Sequence, residues 1–575
     1  MALEVVAVRP ADGGVGVALE PVIQIHFSDR FDTASISPAS IRLCRAGPAD
    51  GRGQAAPGDP PPAADGEPPV EYLVGGDLGG VISLTVTSPL QPGTDYLVEV
   101  GPELRSADGT PAVRFRSRFT TTDRPASTAG ADDRETERLR AFRFEAERVL
   151  EMDGLTGVAL AGGVVVACSW DGKVIGLDLD RPPGDAVPRT LIDDPERRFI
   201  GIRTDAGTAT RPGDPEHPQP RDADHQAAVT LPSLWLTWDR HPRRSTAAND
   251  WSGGLSRLSP QPGGSWREEI WIEGFPTGDH PLSSPVIGPD GRLYLSMGAL
   301  TMLGAPKPNG VEETPLSAAV LAVDLEHPAL APERRPLDVR TAPAGAYDPS
   351  VPGNPVRLFA TGVRQVYAVC WHRNGQAYAG VNMNDTGDPV PYRDGVGGFS
   401  ARPPEMLIRV VEGAHYGHPN PARDQWILLG GNPTEADDPW QIDAYPVGTR
   451  PDPGFDPGLL IYDLESIDGP SANGAVEYLT PGPLDGRLIL AFYTATRGLH
   501  SFSFNESGSQ VLDHQPLLDP EGRPLRLASP LDLAHDPASG RLLVADFTAP
   551  ERGDAGRDGG LWLLRPVGFN VVDPG

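Results

Sequence analysis

GPDGRLYLSMG, residues 288–298, reads as a turn running into a strand. Pro289 pre-sets its own φ, and Gly291 is free to take the positive φ that a tight turn needs. Leu293, Tyr294 and Leu295 then form a run of the type that packs inside a sheet. The same unit, strand, Gly- or Asp-rich turn, strand, recurs outward in both directions from about Phe144. It is found in GLTGVALAGGVVVACSWDGKVIGLDLD (154–180), CWHRNGQAYAGVN (370–382), LDGRLILAFYTATRGLHSFSF (484–504) and DPASGRLLVADF (536–547). Such units separated by long loops predict a β-propeller. Roughly 420 residues at about 70 per blade give six blades, longer than the ~40–45 residues of a WD40 blade.

The first ~123 residues have a different rhythm. PVIQIHFSD (21–29) alternates around Ile23, Ile25 and Phe27, as a half-buried strand does. Further short strands follow, with turns at Pro92-Gly93 and Asp108-Gly109, and this spacing predicts a β-sandwich. The Pro-, Gly- and Asp-rich stretch between Arg45 and Pro69 reads as a solvated loop. In ASTAGADDRETERLRAF (126–142), acidic residues come first and arginines last, which suits the dipole of a short helix. The expected division is a sandwich at 1–123, a linker with a short helix at 124–143, a propeller at 144–566 and a tail at 567–575.

Composition agrees with an all-β chain of more than one domain. A length of 575 residues exceeds one ordinary core. With 67 Gly, 64 Pro and 39% hydrophobic residues, the chain is turn-dense rather than disordered. A net charge of −29 argues against a nucleic-acid partner, since a polyanion repels phosphates. Solubility is the ordinary consequence of that charge, and Ca2+ binding by some carboxylates is the sharper one. Cys44, Cys168 and Cys370 form no CxxC, so no zinc knuckle or c-type haem is indicated, while one disulfide stays open. The opening MALEVVAVRPADGG lacks the basic and apolar regions of a secretory signal. No run reaches the ~18 apolar residues that span a membrane.

Several stretches carry candidate chemistry. VNMNDTGDP holds Asn382, Asn384, Asp385 and Asp388, an oxygen-rich cluster of the kind that binds Ca2+, although its spacing is not that of an EF-hand and a plain turn is the competing reading. His415 and His418 fall in AHYGHPN, where Gly and Pro indicate a loop that lines a pocket rather than a helical metal site. No P-loop, dinucleotide fingerprint or G-x-S-x-G elbow occurs.

VRPADGG, IHFSDRFD, LQPGTDYLVEV and FRSRFTTT together make the first unit resemble the bacterial Ig-like domains that accompany surface and secreted enzymes. That resemblance implies a spacing or adhesive role, an extracytoplasmic or cell-surface setting, and a protein partner or homo-oligomer made through this unit.

The remainder resembles the glucose/sorbosone dehydrogenase family of soluble quinoprotein sugar dehydrogenases. The matching pieces, in order, are RFIGIRTD, LWLTWDR, SGGLSRLS, EEIWIEGFP, DHPLSSPVIGPDGRLYLSMG, ATGVRQVYAVCWHRNGQAYAGVN and VVEGAHYGHP. The resemblance implies pyrroloquinoline quinone (PQQ) and Ca2+ on one face of a six-bladed propeller, and a sugar or glycan as substrate. His280 then stands at the position of the base, a role for which an imidazole is suited. Arg364 and Gln365 match the family's Arg-Asn pair, and Thr496 and Arg497 match its basic pair in a late blade. Ser471 and Asn473 in GPSANGAVEY match a stretch that faces the cofactor, and Asn382, Asn384 and Asp385 match a region of metal contacts. The chain departs from the pattern where Ala299 replaces an aspartate expected to orient the histidine, where Thr496 replaces a lysine, and where Ser529 and Leu531 replace two arginines. Three readings follow: a quinoprotein oxidising a sugar hydroxyl, a non-catalytic binding or assembly module, and a Ca2+-dependent hydrolase such as a lactonase.

Overall fold

The computed structural model describes residues 3–46, 70–121, 142–179, 187–205, 231–240, 249–383, 390–391, 405–435, 440–467, 471–548 and 559–567, apart from short turns and single positions within them. The linker helix expected at 124–143 lies almost wholly outside the described residues, as do Asn384, Asp385 and Asp388. The chain divides into two units, Met1–Thr136 and Glu137–Gly575.

In the first unit, alternating strands build two four-stranded sheets. Asp95–Val100 and Phe115–Thr121 bury alternate residues, as strands with one face on a core must. One sheet holds Val5–Arg9, Val22–Phe27, Val81–Val86 and Tyr72–Gly76, and the other holds Gly14–Val17, Phe115–Thr121, Asp95–Val100 and Ile41–Arg45. Between them lies a core of Ile23, Ile25, Leu43, Leu84, Val98 and Phe119.

The second unit is a ring of six antiparallel sheets, numbered here as blades in chain order. Blade 1 runs through Leu155–Ala161, Val164–Ser169, Lys173–Asp178 and Arg189–Asp193. Blade 2 runs through Arg198–Thr204, Leu234–Asp239, Asp250–Pro260 and Trp266–Thr277, with Leu337–Asp338 added at its edge. Blade 3 contains Val286–Ile287, Leu293–Met297, Ala319–Val323 and Val356–Thr361. In blade 4 the inner strand is split into Gln365–Val366 and Cys370–Trp371, and Ala377–Asn382, Met406–Arg409 and Leu460–Asp463 follow. Blade 5 contains Ala472–Glu477, Leu488–Phe492, Leu499–Phe504 and Val511–Pro516. Blade 6 takes Pro530–Asp536, Arg541–Asp546 and Gly560–Pro566 from the end of the chain, and its outer strand, Phe144–Leu150, from the start of the unit.

Local chemistry explains the blades. The hairpin between the first and second strands closes on Gly291 in blade 3, Gly375 in blade 4, Gly486 in blade 5 and Gly540 in blade 6, all at φ between 71° and 79°, a region that L side chains disfavour. The second strands are mostly apolar because neighbouring blades cover both of their faces, and every residue of Leu293–Met297 and Leu488–Phe492 is buried. Separate apolar clusters fill the interfaces of blades 1 and 2, 2 and 3, 3 and 4, 4 and 5, 5 and 6, and finally 6 and 1. The last of these closes the ring. Cys44, Cys168 and Cys370 are all buried free thiols, so the disulfide left open by sequence is not made. Among the described residues no helix is long and apolar enough to cross a membrane.

Candidate functional site

Because the blades are antiparallel and the six inner strands start at one end of the ring, that end gathers the starts of the inner strands and the loops between second and third strands. Hydrogen bonds join these segments. Ala299, in such a loop of blade 3, donates its N–H to Arg364 O at the start of blade 4 (2.7 Å), and Tyr493 N donates to Ser471 O in blade 5 (3.0 Å). His280, Arg364, Gln365, Asn382, Ser471, Asn473, Thr496 and Arg497 all occupy this end.

The tightest part of the site forms around Gly298. A Cβ at this position would overlap His280 Cβ and Gln365 Oε1, so both side chains rest on its bare Cα. His280 is half-buried and Gln365 is buried. Ala299, where the resembled family's aspartate is expected, is fully buried and offers this site a backbone bond only. Arg364 is also buried; its Nη1 donates to Met383 O at 3.1 Å, and its Nη2 lies 4.0 Å from Met302 Sδ.

Blades 4 and 5 supply an amide array. Gln365 pairs with Asn382 in register, and Asn382 Nδ2 donates to Asn473 Oδ1 at 3.2 Å. Asn473 Nδ2 donates to Ser471 O at 2.8 Å and to Ser471 Oγ at 3.3 Å. Ser471 takes a left-handed φ of 63°, and its N–H is held by the buried carboxylate of Glu405. Gln365 Oε1, Asn382 Oδ1 and Thr496 Oγ1 are buried and meet no hydrogen-bond partner among the described residues. Arg497, also left-handed at φ 47°, is half-buried, and its carbonyl accepts from Leu527 N at 2.8 Å.

Below this layer the axis of the ring is filled. Arg203 of blade 2 grips Asp532 of blade 6 through Nη1 and Nη2, each at 2.6 Å. Asp532 also accepts from Val158 N of blade 1 (3.1 Å) and Ser284 Oγ of blade 3 (3.4 Å). Tyr367 of blade 4 donates to Ile200 O (2.8 Å) and Thr156 O (2.5 Å), and burial raises its phenol well above the usual value. Groups from five blades meet here, which is feasible only at the centre.

Sequence reasoning missed a third element. Glu313, buried in the loop that carries Gly298, accepts from Thr301 N (2.9 Å), Thr301 Oγ1 (2.7 Å), Ser317 Oγ (2.5 Å) and Leu300 N (3.3 Å), and lies 3.4 Å from His418 Nε2. Burial alone would raise this carboxyl, but the donors, His418 first, bring it down to about 2. His418 therefore does not line a pocket; it is fully buried, and burial lowers its pKa against the opposing pull of Glu313. His415 packs against Thr361 instead, Nδ1 to Oγ1 at 3.1 Å. The signal for Glu313 in the sequence was only its company of Thr301, Thr314 and Ser317.

Residues 1–121 match the family profile of the bacterial Ig-like domain. No curated protein matches the chain. Among solved structures, the PQQ-bound aldose sugar dehydrogenase of Streptomyces coelicolor is 16% identical and covers 74% of this chain and 98% of its own, with a TM-score of 0.42. The PQQ domain of the pyranose dehydrogenase of Coprinopsis cinerea is 12% identical and covers 73% of this chain and 95% of its own, with a TM-score of 0.41. CopC of Methylosinus trichosporium OB3b, 17% identical, covers 22% of this chain and 99% of its own, at a TM-score of 0.15. Overlaps this low carry no argument about chemistry, and the site is read from its own atoms. Among the described residues no group of three or more His, Cys, Asp or Glu side chains is arranged to hold a metal.

Proposed function

We propose that the second unit is a sugar-dehydrogenase-like propeller whose amide-lined end binds a sugar through its hydroxyl groups. The reading rests on one observation: Gln365 Oε1 and Asn382 Oδ1 are buried acceptors that no group in the described protein satisfies. Leaving such an atom unpaired costs about 1–3 kcal/mol, so a ligand that donates to it gains accordingly. A sugar hydroxyl is both donor and acceptor. It suits the carbonyl oxygens of Gln365 and Asn382 and the Thr496 hydroxyl together. His280, placed on Gly298 beside Gln365, is the group to accept a proton from such a hydroxyl.

PQQ itself fits this donor set less well. It is a tricarboxylate and calls for guanidinium and ammonium groups. Arg364 commits Nη1 to a backbone carbonyl, and Ser529, Leu531 and Thr496 stand where the resembled family keeps cations. Asn382 Oδ1 would be the acceptor nearest a Ca2+ role, and the carboxylate on the neighbouring strand, Glu405, already accepts from Ser471 N. The quinoprotein reading remains the second one, favoured by the convergence of His280, Gln365 and Arg364 around Gly298. We place the Ig-like unit outside the cytoplasm as a spacer or adhesive module.

The test is calorimetric titration of the full chain with a panel of aldoses, aldonolactones and disaccharides, with and without PQQ and Ca2+. Saturable sugar binding without quinone is expected. Dye reduction only after quinone loading would replace this reading with the second, and binding of no sugar under either condition would remove both.

A further inference from the structure

Blade 3 carries a separate cleft of about 690 Å3. That volume is in the range of small-molecule sites, roughly 300–1,000 Å3. One wall comes from the connection between the third and fourth strands, with Tyr347, Pro349 and Leu358; the other comes from the short turn at Pro421–Arg423 that continues to Gln425. The Tyr347 ring is fixed, since its hydroxyl donates to Val356 O and accepts from Val356 N, both at 2.8 Å. The apolar wall is therefore already formed without a ligand.

The opposite wall carries a guanidinium whose direct hydrogen-bond partners are all neutral oxygens. Arg423 donates from Nε to Gln425 Oε1 (3.0 Å), from Nη1 to Pro315 O (3.1 Å) and Ser317 O, and from Nη2 to Ala318 O (3.2 Å). Four of the five guanidinium N–H groups are thus used on neutral oxygens, and one at Nη2 remains. Arg423 makes no ion pair with any described carboxylate. Its surroundings pull the guanidinium down to about 10, burial outweighing the attraction of Glu313, and it is still charged at neutral pH. The carboxylate at the rim, Asp348, is engaged by Ser350 N (2.9 Å) and Ser350 Oγ (2.6 Å).

We infer that this cleft is a binding site for a small organic monocarboxylate with a flat, ring-sized apolar body. The carboxylate gives Arg423 a direct charged partner, which Glu313 is not, and takes the remaining Nη2 proton in a hydrogen bond, while Tyr347, Pro349 and Leu358 receive the ring. The net charge of −29 selects against polyanions, which the rest of the surface repels more strongly than a single charge. This inference does not depend on sugar binding at the other site.

The probe is benzoate, with benzamide as its neutral isostere, titrated into the full chain and followed by calorimetry. Benzoate is expected to saturate a single site at millimolar or lower concentration, and benzamide to bind at least tenfold more weakly. Ala346→Trp, at an exposed position lining the cleft, puts an indole where the ligand would lie and should abolish benzoate binding while leaving the melting temperature and sugar titration unchanged. No benzoate binding to the unsubstituted chain, equal affinity for benzamide, or unaltered binding in A346W would each overturn the inference.

Discussion

Arg203 and Asp532 face each other across the axis of the ring through two parallel 2.6 Å hydrogen bonds, joining blade 2 to blade 6. Asp532 is fully buried, so removing either partner leaves a charge stranded. Asp532→Ala is expected to cost about 3–5 kcal/mol in chemical denaturation. The double change Arg203→Met, Asp532→Leu should recover most of that loss, because two apolar side chains leave no charge behind. Equal destabilisation by the single and double variants would show that the pair matters through packing, not charge.

Gly298 is the point where a small change should separate stability from binding. In Gly298→Ala the new methyl displaces His280 and Gln365 Oε1. Sugar affinity is expected to fall at least tenfold, with His280 shifted in a histidine-resolved NMR spectrum. An undisturbed His280 signal with full affinity would place the ligand elsewhere.

Gln365→Leu removes an unsatisfied buried acceptor while keeping most of the side-chain volume. Stability should stay level or rise by about 1 kcal/mol, because replacing an unpaired polar group by an apolar one is neutral or favourable. Sugar affinity should fall by about tenfold in the same protein. A variant that loses stability instead would mean that the Gln365 oxygen is satisfied in the folded chain.

Acid should weaken the propeller early. Burial lowers His415 and His500 to about 3 and His535 to about 4, from an ordinary value near 6.5. The folded values are depressed, so the unfolded chain takes up protons first. The stability these histidines contribute is complete above pH 6.5 and is lost as pH falls from there toward 4 and 3. Each removes on the order of 1 kcal/mol per pH unit inside that window, so stability should fall by several kcal/mol between pH 6.5 and 4.5. Urea denaturation at pH 7, 6, 5 and 4.5 measures this, and a flat profile between 7 and 5 would refute it.

Much of the propeller could be read in the sequence because its signals are local. The turn at Gly291 and the apolar run from Leu293 are near neighbours in the chain, and the pattern repeats at Gly375, Gly486 and Gly540. The site was less legible, because its contacts join distant parts of the chain. Asn382 and Asn473 were both noticed, but their amide-to-amide bond spans 91 residues. Glu313 and His418 lie 105 apart, and the loop bearing His418 returns along the last strand of blade 3, where no periodicity predicts it. Ala299 drew notice as a missing carboxylate, while the contact that shapes this corner is the absence of any side chain at Gly298.

Phe144–Leu150 is the first strand of the ring to be synthesised and the last to find its place, since its partner, Gly560–Pro566, follows about 410 residues later. On the ribosome this strand emerges with both edges open and stays so until Gly560–Pro566 is made, which exposes it to mispairing with other copies. Assembly of the propeller therefore waits for the synthesis of Gly560–Pro566. A stop codon placed just before Gly560 should leave five sheets intact in sequence and no closed ring, a product marked for aggregation or proteolysis rather than partial function.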